Sequence, residues 1–194
     1  MSFKKNVLGF VILVGLVLIF QGCGGFSHQS LNSAGSNKYY LKNNIHAQVG
    51  SRDAKASYAN WTDPGAGHVI IPVNTPVEIE KYRKGLVIKN LTDERKIYFE
   101  FHSRNMGMGV DEYIQLIASS TSVSLDKISN IDLKGIKAGK AYAGMTKQGV
   151  RVALGYPAAH RTSSLEDNVW IYWRNRFQTM AVEFDDSGKV AHIR

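Results

Sequence analysis

The apolar residues of the chain form one long run near its start and shorter, alternating runs afterwards. Residues 7–20 contain no charged residue and follow Lys4 and Lys5, and the small or polar residues QGCGG come next, at positions 21–25. A basic start, an apolar stretch of this length and an exit of small residues are typical of a secretory signal peptide. A spanning helix needs about 20 apolar residues, so an uncleaved membrane anchor is the less favoured alternative.

The chain has a single cysteine, Cys23, which ends this segment. The pair Gly22-Cys23 resembles the lipobox of bacterial lipoproteins, in which the cysteine becomes the acylated N-terminus. The resemblance implies a signal peptide over residues 1–22 and fatty chains such as palmitate on Cys23, which together hold a protein firmly to a bilayer. Because Gly24, not Asp, follows the cysteine, the same resemblance implies the periplasmic leaflet of the outer membrane.

The polar stretch that follows predicts a lipidated flexible tether over residues 23–38, rich in Gly, Ser and Asn. Residues 39–104 then alternate in a way typical of strands: Ile97 and Phe99, for example, are interleaved with polar or larger residues. The phrase IPVNTPVEI, residues 71–79, resembles a stretch of small bacterial SH3-like barrels. We therefore expect a β-rich, SH3-like segment here.

A helical and irregular connector is predicted over residues 105–143. The stretch VDEYIQLIASS begins at Val110 and has the spacing of an amphipathic helix, with Asp111 as its expected N-cap. Residues 122–142 fit either a short helix or a strand and loop, and the pattern does not decide between them.

The C-terminal segment, residues 144–194, predicts one helix followed by three strands. Thr146 is the expected N-cap, and Gly155 and Pro157 mark the end of the helix. Its buried positions are expected to be Val150, Ala153 and Leu154. The strands NVWIYWR, FQTMAVEF and KVAHI are separated by turn residues, which favours an antiparallel meander.

Alternation along the first of these strands suggests a binding surface. Trp170, Tyr172 and Arg174 share one face, and Arg176 follows in the connection. If the opposite face packs on the helix, these four residues form an exposed aromatic and basic surface, and such residues dominate protein interfaces. The alternative that residues 39–142 cover Trp170 and Tyr172 stays open.

The motifs of residues 144–194 resemble the SmpA/OmlA family, the fold of the BamE-like lipoproteins of the β-barrel assembly machinery. The matching positions are Met145, Thr146, Val150, Leu154, Gly155, Pro157, Trp170, Tyr172, Phe184, Gly188 and Val190. The resemblance implies an α+β fold in which a BamE-like helix packs on a three-stranded meander, and a role in an envelope protein assembly.

The charge of the chain favours anionic partners. The net charge is +8, and it becomes +6 once Lys4 and Lys5 leave with the signal peptide. Seven basic residues cluster between residues 123 and 161: Lys127, Lys134, Lys137, Lys140, Lys147, Arg151 and Arg161. A clustered basic surface attracts anionic lipid, peptidoglycan carboxylates or acidic protein faces, and we expect no nucleic acid for an exported chain.

The residue patterns offer no catalytic or metal site. The six histidines are scattered without metal-ligand spacing, and the chain has neither a Gly-x-Ser-x-Gly elbow nor a phosphate loop. The sequence Asp185-Asp186-Ser187-Gly188 is better explained as a hairpin turn than as a calcium loop. We therefore predict no catalytic residues, no metal and no cofactor.

Together these patterns predict a non-enzymatic lipoprotein, anchored in the outer membrane, that binds or stabilises an envelope protein assembly. The alternative is a peptidoglycan-binding module that uses the SH3-like segment around Tyr58, Trp61 and Tyr82.

Overall fold

The computed structural model describes residues 38–83 and 85–194 and consists mainly of β-strands. About 19% of it is helical. The strands are β1 (Lys38–Leu41), β2 (Ile45–Val49), β3 (Ala54–Ser57), β4 (His68–Ile71), β5 (Pro76–Tyr82), β6 (Gly85–Asn90), β7 (Lys96–Glu100), β8 (Ala118–Ser119), β9 (Val169–Trp173), β10 (Thr179–Phe184) and β11 (Val190–Ile193). The helices are α1 (Ser103–Met106), α2 (Val110–Ile117), α3 (Asn130–Ala138) and α4 (Lys147–Leu154).

The first eight strands form a curled mixed sheet in the order β4-β2-β3-β7-β6-β5-β1-β8. The pair β3 and β7 is parallel and the other neighbours are antiparallel. The predicted alternation is confirmed on β7, where Ile97 and Phe99 are buried and Tyr98 is exposed. Tyr113 and Ile117 of α2 pack in the same core.

The helix α2 is shorter than expected and is capped differently. Its N-cap is Gly109, whose N–H donates to the Glu112 carboxylate at 3.0 Å, so the prediction of Asp111 as N-cap is wrong. The helix ends at Ile117 because Ala118 is already extended and pairs with β1. The last residues of the predicted helix therefore form β8.

The C-terminal strands form a second, three-stranded sheet in the order β11-β10-β9. The helix α4 lies against it, and Thr146 caps that helix as predicted, because its hydroxyl accepts from the Gly149 N–H at 3.0 Å. The predicted buried positions Val150, Ala153 and Leu154 are all fully buried. Gly155 has a positive φ of 79°, a backbone angle that glycine adopts without strain.

The helices α3 and α4 are joined at their starts by a buried carboxylate. Asp132 accepts from the Ser129 hydroxyl at 2.7 Å, the Thr146 N–H at 2.8 Å and the Thr146 hydroxyl at 3.1 Å. Any side chain larger than hydrogen at Gly149 would collide with this carboxylate. The glycine therefore permits the close approach of the two helices.

A single asparagine connects both helices to the large sheet. Asn44 lies between β1 and β2 and donates from its amide to the carbonyl of Ile136 at 2.7 Å and of Ala153 at 3.2 Å, while its side-chain oxygen accepts from the Val73 N–H at 2.9 Å. These bonds satisfy backbone groups where the core of the large sheet meets the core of the C-terminal sheet.

The predicted fold class is wrong. We expected an α+β fold with a self-contained SH3-like segment over residues 39–104 and a BamE-like helix with a meander over residues 144–194. The structure is instead mostly β, and its large sheet takes in β8 from the expected connector.

The physical reason lies in pairings that join distant parts of the chain. The free edge of β1 is completed by β8, so residues 39–104 do not finish their own sheet. The C-terminal sheet shares its core with Ile136 of α3 as well as with α4. The helices α3 and α4 therefore both cover the C-terminal sheet, where one helix was expected.

Several predictions concern residues outside the described ranges. The signal peptide, Cys23 and most of the tether lie before residue 38, while Lys38, the last expected tether residue, begins β1. Among the described residues, no helix is both long and apolar enough to cross a bilayer.

Candidate functional site

Trp170 and Tyr172 belong to the core and not to an exposed surface. Only 1% of Trp170 is exposed, and its ring meets that of Phe184 edge-on with centroids 4.8 Å apart. The Tyr172 hydroxyl donates to the Gly155 carbonyl at 3.0 Å. Complete burial raises the pKa of Tyr172 above that of a free tyrosine.

The predicted exposed placement of these two aromatic side chains is therefore wrong. The helix α4 packs on the β9 face that carries Trp170 and Tyr172, and the opposite face, with Val169 and Ile171, is partly exposed. The open alternative named residues 39–142 as the cover of the two rings, and the same core holds Ile136 from that range together with residues of α4.

Arg174 and Arg176, the other two predicted contact residues, are exposed at the end of β9. They lie in the hairpin that joins β9 to β10. The structure thus separates the predicted set into two buried aromatic residues and two exposed arginines.

An open groove lies beside this hairpin, which we call the hairpin groove. Its volume is about 490 Å³. The lining residues are Gln48, Trp61, Pro64, Asn175, Arg176, Phe177 and Gln178. Two aromatic rings, one guanidinium and three side-chain amides thus converge on one surface.

Turn chemistry holds Phe177 out into solvent. The Asn175 side-chain oxygen accepts from the Phe177 N–H at 2.9 Å and from the Gln178 N–H at 3.0 Å, and the Arg174 N–H donates to the Gln178 carbonyl at 2.8 Å. With these bonds fixing the backbone, 87% of Phe177 is exposed. Phe177 and Trp61 both line the groove, and an exposed apolar patch, unlike a single exposed ring, marks a candidate contact surface.

Backbone pairing brings Trp61 to the same place. The Thr62 N–H donates to the Trp173 carbonyl at 2.9 Å and the Asp63 N–H to the Arg174 carbonyl at 2.8 Å. The loop after β3 therefore runs along the end of β9, and Trp61 reaches the hairpin.

Tyr58, Trp61 and Tyr82 were proposed for peptidoglycan binding, and of these only Trp61 lines the hairpin groove. Tyr58 accepts from the Asn105 amide at 2.5 Å and packs edge-on against His102. Tyr82 is exposed and packs against Tyr98, with ring centroids 6.2 Å apart. Tyr58 thus contacts residues of α1 and its N-cap, and Tyr82 contacts β7 of the large sheet.

Two histidines that are distant in sequence form a stacked pair. His46 on β2 and His68 on β4 have ring nitrogens 3.0 Å apart, and the other His46 nitrogen lies 2.9 Å from the Ala153 carbonyl. Burial lowers the pKa of His46 to about 4, with a smaller lowering from the charge of His68. Within residues 38–83 and 85–194, no group of three or more His, Cys, Asp or Glu side chains could hold a metal ion.

The predicted basic cluster is partly packed against aromatic rings. The Lys134 ammonium lies 5.0 Å from the Tyr142 ring centroid, and the Arg151 guanidinium 5.5 Å from that of Tyr156. Lys147 lies 5.5 Å from the Phe184 centroid. These three cations therefore also contribute to packing.

Comparisons with known proteins identify no relative: no protein-family model, no curated protein and no solved structure matches this chain. The resemblances to the lipobox and to the SmpA/OmlA family thus stay predictions from sequence motifs. The geometry of the hairpin groove is the basis for the functional proposal.

Proposed function

We propose that this chain is a non-enzymatic lipoprotein of the bacterial outer membrane that binds another envelope protein through the hairpin groove. The N-terminal pattern supports export and acylation of Cys23. The observation that carries the binding proposal is the exposure of 87% of Phe177 beside Trp61 and Arg176.

The composition of the groove favours a protein partner. Trp, Phe and Arg are enriched at the centres of protein interfaces, and amide side chains suit a polar rim. Arg174 and Arg176 carry positive charge at the hairpin, so the partner surface should be apolar with acidic residues around it. Because the turn is already ordered, binding through Phe177 requires little further ordering of its backbone.

A cell-wall ligand is the second candidate, and one observation favours it. The groove combines two aromatic rings with the side-chain amides of Gln48 and Gln178. Flat rings and amides suit a sugar chain, and Arg176 suits a peptide carboxylate. Binding to peptidoglycan is therefore the alternative outcome of the test.

Site-directed photocrosslinking in cells tests the protein partner. A photoreactive residue replaces Gln178 at the edge of the groove, and a second one replaces Tyr98 on the large sheet as a control position. We expect one discrete protein adduct from position 178 and none of the same mass from position 98. Identical adducts at both positions would contradict the proposal. Retention on purified peptidoglycan that depends on Trp61 would favour the peptidoglycan-binding module.

Fatty-acid labelling tests the anchor separately. We predict that the wild-type chain incorporates radiolabelled palmitate and that Cys23→Ser does not, because the thiol is the acylation site that the lipobox resemblance implies. An unprocessed precursor should accumulate in the variant. Normal processing of Cys23→Ser would contradict the lipoprotein proposal but would leave the groove untouched.

A further inference from the structure

A second, smaller pocket lies between the loop after β1 and the helix α4. Its volume is about 180 Å³. Lys42 and Asn43 line it from the loop, Gln148 and Arg151 from the helix, and Tyr156 from the segment that follows. It shares no lining residue with the hairpin groove.

Two cationic residues, Lys42 and Arg151, line this pocket. The Lys42 ammonium donates to the Gln115 carbonyl at 2.9 Å, and the Arg151 guanidinium lies over the Tyr156 ring. Partial burial, and then the charge of Arg151, lower the pKa of Lys42. Among the described residues neither cation forms an ion pair with a carboxylate.

One carboxylate, Asp126, contacts a lining residue of the pocket but forms no ion pair with Lys42 or Arg151. Asp126 accepts from the hydroxyl of Ser124, a lining residue, at 2.8 Å. The uncompensated positive charge of Lys42 and Arg151 therefore favours an anion in the pocket.

Asn43 adds a requirement for a hydrogen-bond donor. Only 3% of Asn43 is exposed, and its amide donates to the Asn44 carbonyl at 2.7 Å. Its side-chain oxygen is buried and accepts no hydrogen bond from the described residues. A buried acceptor without a donor costs free energy, which a ligand carrying an O–H or N–H would recover.

We propose that this pocket binds a small oxyanion that also carries a hydrogen-bond donor, with hydrogen phosphate as the ion that fits best. Arg151 and Lys42 neutralise the anion and donate to its oxygens, and the ligand O–H donates to the Asn43 side-chain oxygen. Sulfate has the same shape and charge as hydrogen phosphate but no O–H, so the pocket should discriminate between them.

Calorimetric titration of the full chain in detergent tests this proposal. The probes are inorganic phosphate, sodium sulfate and glycerol 3-phosphate at constant ionic strength and at a mildly alkaline pH, where phosphate and sulfate both carry two charges. We expect saturable phosphate binding that is about tenfold tighter than sulfate binding, the effect of one buried hydrogen bond. Glycerol 3-phosphate, whose phosphate group carries no O–H at this pH, should bind more weakly than phosphate.

Variants separate the pocket from general surface charge. Arg151→Gln should weaken phosphate binding about tenfold, since a charge-assisted contact is lost. Lys137→Gln removes one charge from the exposed side of α3 and is the matched control, which should leave binding unchanged. If Arg151→Gln does not fold, Lys42→Gln replaces it, with a thermal melt to verify folding.

Three results would overturn the proposal. One is the lack of saturable phosphate binding, and another is equal affinity for phosphate and sulfate. The third is an equal loss of affinity in the pocket variant and in Lys137→Gln, which would indicate attraction to the basic surface as a whole.

Discussion

The C-terminal sheet places aromatic residues in two opposite environments within a few positions. Trp170 and Tyr172 are buried against α4, whereas Phe177, in the hairpin that ends the same strand, stands in solvent. All three residues are aromatic, and their exposure is decided by the strand face or the turn on which each one lies. An aromatic-rich segment therefore does not identify a binding surface until the packing partner of each face is known.

This difference divides the segment into a part that stabilises the fold and a part available for binding. Substitutions in the buried part should change the free energy of unfolding strongly. Substitutions at the hairpin should change binding and leave stability almost unaffected.

The largest effect is expected at Trp170. Trp170→Ala should lower the free energy of unfolding by about 3–5 kcal/mol, because the substitution leaves a large cavity beside Phe184. Urea unfolding followed by fluorescence or circular dichroism measures this change. A loss below about 1 kcal/mol would mean that the ring is not packed as described.

A slightly smaller effect is expected at Leu154 on the helix side of the same core. Leu154→Ala should cost about 2–5 kcal/mol, since the side chain is fully buried. Val169→Ala on the exposed face of β9 is the control and should change stability by about 0.5 kcal/mol or less. Similar losses in the two variants would contradict the assignment of the buried face.

The buried histidine His46 should make the free energy of unfolding depend on pH. Folding lowers the pKa of His46 from its ordinary 6.5 to about 4, so the unfolded chain binds more protons between these values. The free energy of unfolding should therefore fall by roughly 2–3 kcal/mol as the pH drops from 7 to 4.

Equilibrium unfolding at several pH values measures this slope. His46→Gln should flatten it above pH 5, where the carboxylates contribute little. An unchanged slope in His46→Gln would show that the buried pair does not titrate as described.

The smallest effect on stability is expected at the hairpin. Phe177→Ser should change the free energy of unfolding by about 0.5 kcal/mol or less, because the ring is exposed and the turn is held by Asn175. The same urea unfolding experiment provides the measurement. A loss above about 1.5 kcal/mol would mean that Phe177 packs on the protein in solution.

Features set by near neighbours in sequence could be predicted. The alternation of Ile97 and Phe99 follows from the two-residue period of a strand, and the Thr146 cap depends on groups three residues away. These interactions are local, so the residues that cause them are visible in one short stretch.

Pairings between distant residues could not be predicted. The edge of β1 is completed by Ala118 and Ser119, and β3 runs parallel to β7. Hydrogen bonds between strands involve backbone groups that nearly every residue carries, so a short stretch of sequence does not specify its partner strand. The stacking of His46 on His68 depends on such a pairing, between β2 and β4.

The candidate site was predicted only in part. The exposure of Arg174 and Arg176 is confirmed, but both faces of β9 carry large apolar residues, so the pattern left the buried face undecided. Phe177 was placed at the start of a strand, whereas β10 begins at Thr179 and the turn extends further. The Asn175 side chain that caps this turn was the available signal.

Photocrosslinking from position 178 in two matched variants tests the central claim, that the hairpin groove binds an envelope protein. Phe177→Ser and Val169→Ser each remove one exposed apolar side chain from the C-terminal sheet. We predict that the adduct is lost in Phe177→Ser and kept in Val169→Ser, with both variants folded and at equal abundance. An adduct of undiminished yield in Phe177→Ser would contradict it.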